Sequence, residues 1–139
     1  MKKKLLSVLI VLCIMSEFCF AQKKKIDVDL TRMSSTMVYA EVFNMLIAPE
    51  YYDGKTIRMR GLFDIFEYER NGKPHRSFFC IVKDATACCA QGLEFSLADS
   101  YTYPNDYPAR YTMITVTGRY RQYEQDGLTY ILLVDCTIE

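Results

Sequence analysis

From residue 57 onward the apolar side chains recur at every second position, and turn dipeptides separate one such stretch from the next. A period of two buries one face of a strand, whereas on a helix it would scatter the apolar residues around the axis. Ile57, Met59, Gly61, Phe63 and Ile65 alternate with Arg58, Arg60 and Asp64, which predicts a long half-buried strand. Gly61, in its middle, has no side chain to pack and points to a bulge or sharp bend. Asn71-Gly72 marks a hairpin turn, and residues 77–83 and 93–98 give the second and third strands. Residues 112–123 give the fourth, Asp126-Gly127 the next turn and residues 128–138 the fifth, with Tyr130, Leu132, Val134 and Cys136 on one side.

One segment follows a different period. Val38, Val42, Met45 and Leu46 recur at helical spacing, with Tyr39 and Phe43 alongside. Ser34, Ser35 and Thr36 supply N-cap candidates, Pro49 limits the helix, and Tyr52-Asp53-Gly54 turns the chain away. Residues 22–33 carry three lysines and then Ile26, Val28 and Leu30 in alternation, and are expected to form an N-terminal tether. The fold class is therefore mainly β: a single domain over residues 34–139, in which one N-terminal amphipathic helix precedes a five-stranded OB-type barrel. An open antiparallel sheet with the helix on one face is the competing arrangement.

The first 21 residues have the three parts of a secretory signal peptide. Lys2, Lys3 and Lys4 come first, residues 5–15 are apolar apart from Ser7, and Cys19-Phe20-Ala21 offers a cleavage site before Gln22. The apolar run is about 11 residues against the roughly 20 of a spanning helix, so no transmembrane anchor is expected in the mature form. Acylation on a cysteine needs a small residue before it, whereas Cys13 follows Leu12 and Cys19 follows Phe18. The protein is expected to be exported, to a periplasmic or extracellular location. Cleavage leaves 118 residues, enough for one domain. It also leaves 14 basic and 16 acidic residues, a net charge of −2, which opposes nucleic acid as a partner. There is no Gly-rich phosphate loop, metalloprotease motif, internal repeat or low-complexity tract.

Tyr52-Asp53-Gly54-Lys55-Thr56-Ile57 followed by Gly61 resembles the first-strand signature of exported bacterial OB-fold proteins, the tRNA-anti-like group. The segment from Asp84 to Phe95, with Cys88-Cys89-Ala90-Gln91-Gly92 at its centre, is similar to a stretch in uncharacterised secreted proteins and lipoproteins of Bacteroidetes and Firmicutes. Val116-Thr117-Gly118 and Tyr130 continue the likeness over residues 36–139. The resemblance implies an OB fold and no particular activity. The acylated cysteine of the lipoprotein members is missing from this chain.

Cys80, Cys88, Cys89 and Cys136 survive cleavage. In an oxidising compartment four cysteines suggest disulfides, with three connectivities open. Their other use is a metal site: thiolates are strong ligands for zinc or copper(I), and Cys88 and Cys89 share one inter-strand turn. Cys80, Cys136, Glu94 or His75 would complete such a site, although adjacent cysteines lack the spacer of a zinc knuckle. Buried apolar thiols are the third alternative. No cofactor is expected unless these cysteines hold a metal such as zinc.

His75 is the only histidine, in a polar hairpin beside Arg76. Catalysis would require an orienting carboxylate and a nucleophile nearby, which the sequence does not show beside it, so a Cys/His nucleophilic pair is the minor alternative. Tyr101, Tyr103 and Tyr107, with Tyr111, Pro104 and Pro108, lie in the connection before the fourth strand. They suit either a stacking platform for a sugar or base, or a lid over one end of the strands. The sequence thus predicts a non-enzymatic binding or accessory protein of unknown ligand, with Tyr101, Tyr103, Tyr107, His75 and Arg76 as candidate contacts. Its ligand face would lie between the Asn71-Gly72 and Asp126-Gly127 turns. A cysteine-based metal-binding protein is the alternative, and nucleic-acid or oligosaccharide binding the third reading.

Expression in a bacterium should yield a chain shortened by about 21 residues, as signals of this type are cleaved. Intact-mass measurement of the exported fraction checks this, and Met1 retained there would refute it.

Overall fold

The long alternating stretch forms one continuous strand, β2 (Thr56–Arg70), in a computed structural model that describes residues 25–125 and 127–139. The expected leader, residues 22–24 of the expected tether and Asp126 of the second turn lie outside the described residues. Before β2 come a short strand β1 (Val28–Asp29), a 3-10 turn (Leu30–Arg32), helix α1 (Ser35–Ile47) and a second 3-10 turn (Pro49–Tyr51). After it come β3 (Lys73–Lys83), β4 (Ala90–Leu97), β5 (Met113–Gln125) and β6 (Leu128–Ile138). The protein is mainly β, with one six-stranded sheet and one α-helix among the described residues.

β2 changes partner along its length. From Thr56 to Leu62 it pairs antiparallel with β5, and from Leu62 to Arg70 with β3, so that Leu62 faces both Met113 and Ile81. The other pairings close the circuit: β3 with β4, β4 with β6 in parallel, and β6 with β5. Five strands therefore form a ring in the order β2-β3-β4-β6-β5 and back to β2. Their inner faces meet in one hydrophobic cluster around Ile57, Met59, Phe63, Phe95, Val116 and Leu133.

The tether expected over residues 22–33 is, from Asp27 onward, part of the fold. Where β5 occupies one edge of β2, the opposite edge has no β3 to pair with, and β1 pairs there in parallel, Val28 opposite Ile57. The Asp27 N–H donates to the Thr56 carbonyl, and the Thr56 N–H to the Asp27 carboxylate, both at 2.9 Å. Leu30 then enters the core at 1% exposure. A bare strand edge is a liability, and three or four residues suffice to cover it.

Helix α1 begins where the serines suggest: the Ser34 Oγ accepts from the Met37 N–H at 3.4 Å. It stops at Ala48 because Pro49 follows. Val42 and Met45 are fully buried in the strands' cluster, whereas Leu46 stays partly exposed. The hydroxyl of buried Tyr120, on β5, donates to the Met45 carbonyl, one of the last carbonyls of the helix. Burial raises the pKa of that hydroxyl well above the usual tyrosine range, so it remains a donor. The Tyr52 hydroxyl donates to Glu41 at 2.8 Å and ties the helix to the turn before β2.

Two expectations change in detail. Tyr130, Leu132, Val134 and Cys136 do not all share a face: Leu133 and Cys136 are the fully buried pair. Between the pairs Thr117–Thr137 and Arg119–Val134, β6 carries one residue more than β5, and Asp135 takes a left-handed φ of 51°. This bulge turns Cys136 inward. Gly61, expected at a bulge or bend, shows neither a register shift nor a positive φ. Its requirement is close approach: a Cβ there would lie 2.4 Å from the Ile81 carbonyl oxygen and 2.9 Å from the Cys80 sulfur. At Gly118 a Cβ would lie 2.1 Å from the Cys136 sulfur.

These contacts predict different rescue behaviour. Gly61→Val and Gly118→Ala should each destabilise the protein by about 1–3 kcal/mol through overpacking. Adding Cys136→Ala should recover much of the Gly118→Ala loss, because the atom struck is a removable sulfur. Gly61→Val collides with backbone, so Cys80→Ala should not rescue it. Urea unfolding of the two single and two double variants measures all four values, and equal rescue at both sites would contradict the assignment.

Candidate functional site

Past the point where the ring closes, β2 and β3 continue as a two-stranded arm. Asn71 and Gly72 both have positive φ, 54° and 70°, the geometry of a tight hairpin turn that matches strand twist. Along one side of the arm Phe66 stacks on Tyr68 at 5.8 Å, and Tyr68 stacks on its cross-strand partner His75 at 5.6 Å. β5 and β6 form the second arm, where Tyr123 and its partner Tyr130 stack at 5.3 Å with ring planes 16° apart. Phe66 is 61% exposed, Tyr123 43% and Tyr68 38%.

Tyr123 on the second arm lies within reach of the charges of Tyr68 and Arg70 on the first. Burial first, and then the charge of Glu94 together with Tyr130 and Tyr68, raises the pKa of the Tyr123 hydroxyl, while Arg70 acts against them. Glu94 belongs to β4, the strand between β3 and β6, so it stands at the floor of the space between the arms. The result is a face with two stacked aromatic pairs at its rims and a carboxylate between them. Exposed apolar groups gathered this way are commonly found where a ligand or partner binds.

The five candidate contacts are divided. His75 and Arg76 are neighbours on β3 and point to opposite sides. His75 joins the aromatic face, whereas Arg76 pairs with Glu67 at 2.9 Å and lies over the Tyr103 ring at 4.3 Å. Tyr107 packs into the end of the core, its ring 4.4 Å from Phe78 and 6.3 Å from Phe63. Tyr101 also packs against the core. Tyr103 leans on Phe78 and Tyr107 at the rim, 38% exposed. The tyrosine connection is a lid over the open end of the ring, because β4 and β5 leave Phe63, Phe78 and Phe95 uncovered there.

The cysteines also divide. Cys88 and Cys89 are exposed in the turn between β3 and β4, and the turn is built around Asp84. The Asp84 carboxylate accepts from the Thr86 hydroxyl at 2.9 Å and from the Cys89 N–H at 3.3 Å. The Cys88 sulfur stands 3.5 Å from the same carboxylate and 3.5 Å from the Cys89 sulfur. The Thr86 hydrogen bond, aided by the Cys89 and Cys88 contacts, holds the Asp84 carboxyl below its ordinary pKa. The contact with Cys88, then burial and the Asp84 charge, raises that of Cys89.

Cys80 and Cys136, expected to complete a four-cysteine site, lie instead in the core at 0% exposure. Burial first, and then neighbouring Cys136, pushes the Cys80 thiol up to about 12, so it is a small neutral group packed against Gly61. Among the described residues no two sulfurs stand at disulfide distance. The side chain that brings a third potential donor atom to Cys88 and Cys89 is Asp84 rather than Glu94 or His75.

The sequence carried usable signals for what was missed. Tyr68, Tyr123 and Tyr130 occupy alternate strand positions next to the two hairpin turns, and Asp84 opens the turn four residues before Cys88. An apolar groove of about 450 Å³, lined by Leu30, Met33, Val38, Leu62 and Met113, is the seam along which the N-terminal segment docks on the strands. Compared with protein-family models and with curated proteins, the chain matches none.

Proposed function

We propose that this is an exported, non-enzymatic OB-fold binding or accessory protein whose ligand lies on the aromatic face between the two hairpin arms. The OB-type barrel reading is supported by the strand order β2-β3-β4-β6-β5, by the parallel β4–β6 pair and by a first long strand shared between two partners. Folds of this kind bind on the face of their second and third strands, flanked by the loops that here are the two hairpin tips. Membership of the tRNA-anti-like exported proteins belongs to the same proposal and rests on the residues that carry that resemblance. Export rests on the pattern of residues 1–21. A binding role is favoured over catalysis because the only histidine is engaged as a stacking partner of Tyr68.

The single observation that carries the ligand face is the pair of exposed stacks, Tyr68–His75 on one arm and Tyr123–Tyr130 on the other, with Glu94 on the strand between β3 and β6. Aromatic faces stack on flat or apolar ring faces, and a carboxylate accepts hydrogen bonds from hydroxyls. It also repels phosphates. An uncharged ring-bearing ligand, with neutral oligosaccharide as its chemical class, fits these groups better than a nucleic acid.

NMR titration of the mature protein with neutral oligosaccharides, and separately with a single-stranded oligonucleotide, tests the reading. The ring resonances of Tyr68, Tyr123 and Tyr130 should move with a sugar. Tyr68→Ala and Tyr123→Ala should each weaken binding about tenfold or more, at about 1–3 kcal/mol per stacked ring. Shifts confined to other surfaces would refute the face, and tighter binding of the oligonucleotide would refute the ligand class.

A further inference from the structure

The double-cysteine turn shares no residue with the aromatic face, and its donor atoms converge on one point. We propose that Asp84, Cys88 and Cys89 bind a single thiophilic divalent ion of tetrahedral preference, with zinc as the ion of that class. The three donor atoms lie within 4.8 Å of one another. Metal–thiolate bonds of about 2.3 Å to sulfurs 3.5 Å apart subtend about 100° at the ion. That is close to the tetrahedral angle. Linear two-coordinate binding, as copper(I) adopts with two thiolates, would need the sulfurs about 4.6 Å apart at the same bond length.

Adjacent cysteines ordinarily project to opposite sides of an extended chain. Here Ala87, at a φ of 57°, reverses the backbone just before them, and both sulfurs turn toward the Asp84 carboxylate. The spacer that a cysteine pair of this kind lacks is supplied by Asp84, which stands three residues clear of Cys88. Hydrogen bonds from Thr86 and from the Cys89 N–H fix the carboxylate before any ion arrives. Helix α1 bounds the site: the Tyr39 hydroxyl lies close enough to feel the charges of Cys89, Asp84 and Cys88. The Gln91 side chain, two residues past Cys89, donates to the Tyr39 carbonyl and ties helix and turn together. Three protein donors leave a fourth position for water.

The test uses mature protein purified metal-free under reductant, titrated with Zn²⁺ against a chromophoric chelator and with Co²⁺ as a spectroscopic probe. One ion per chain is expected, with the visible bands of tetrahedral cobalt and a sulfur-to-cobalt charge-transfer band. Cys88→Ser and Cys89→Ser should each abolish binding, and Asp84→Asn should weaken it about tenfold or more. Cys80→Ser, in the core, should leave the stoichiometry unchanged, and circular dichroism verifies that each variant is folded. Octahedral cobalt bands, binding that survives in the Cys88→Ser/Cys89→Ser double variant, or binding lost in folded Cys80→Ser would each overturn the proposal. So would absence of binding, or a Cys88–Cys89 disulfide that persists under reductant and takes up no ion.

Discussion

The ring depends on β2 exchanging one partner for another at Leu62. At that residue the backbones of β3 and β5 approach the same strand from opposite edges, and there is no volume for a side chain at the position before it. Gly61 meets this demand, with the Ile81 carbonyl where its Cβ would be. Gly118 meets a similar one across from Cys136. Each buried thiol therefore sits against a glycine, and a larger side chain at Cys80 or Cys136 would force the strands apart. Interiors packed this closely transmit a misfit of one methyl group.

Because β2 runs on for eight residues after Leu62, it leaves the ring as one strand of an arm. The arm carries Phe66 and Tyr68 beyond the ring, on the face of β2 opposite the one that buries Phe63, and both remain exposed. The second arm, from β5 and β6, presents Tyr123 and Tyr130 by the same means. The ring's closure thus decides which aromatic residues are core and which are surface. The lid illustrates the opposite outcome. Tyr101 and Tyr107, in an irregular segment, are drawn onto Phe63, Phe78 and Phe95 because the ring end would otherwise expose those rings to water.

Four cysteines of one chain follow two kinds of chemistry. Cys80 and Cys136 are enclosed by strands, where burial disfavours the thiolate and the sulfur serves as volume. Cys88 and Cys89 lie at a turn whose backbone is organised by a carboxylate, in contact with solvent. The distinction arises from position: two sulfurs are on strand positions that face the core, the other two in the exposed turn between β3 and β4.

The local elements were determined by sequence alone. Five alternating stretches, the Asn71-Gly72 turn and the helix from Ser34 to Pro49 follow from side-chain periodicity and backbone preference, which act within a few residues. The aromatic face was legible only as a location between two turns; its residues were not, since an outward tyrosine and an inward one look alike until the ring assigns a face. Tertiary structure alone decided the β1 edge cover, the bulge that turns Cys136 inward and the separation of the cysteines into two pairs. It likewise chose the ion-pair partners, Arg58 with Glu139 and Arg121 with Asp53, from acids far away in the chain. Such pairings depend on which strands become neighbours, and that is set by closing loops of many residues around one core, a free energy to which no local segment contributes by itself.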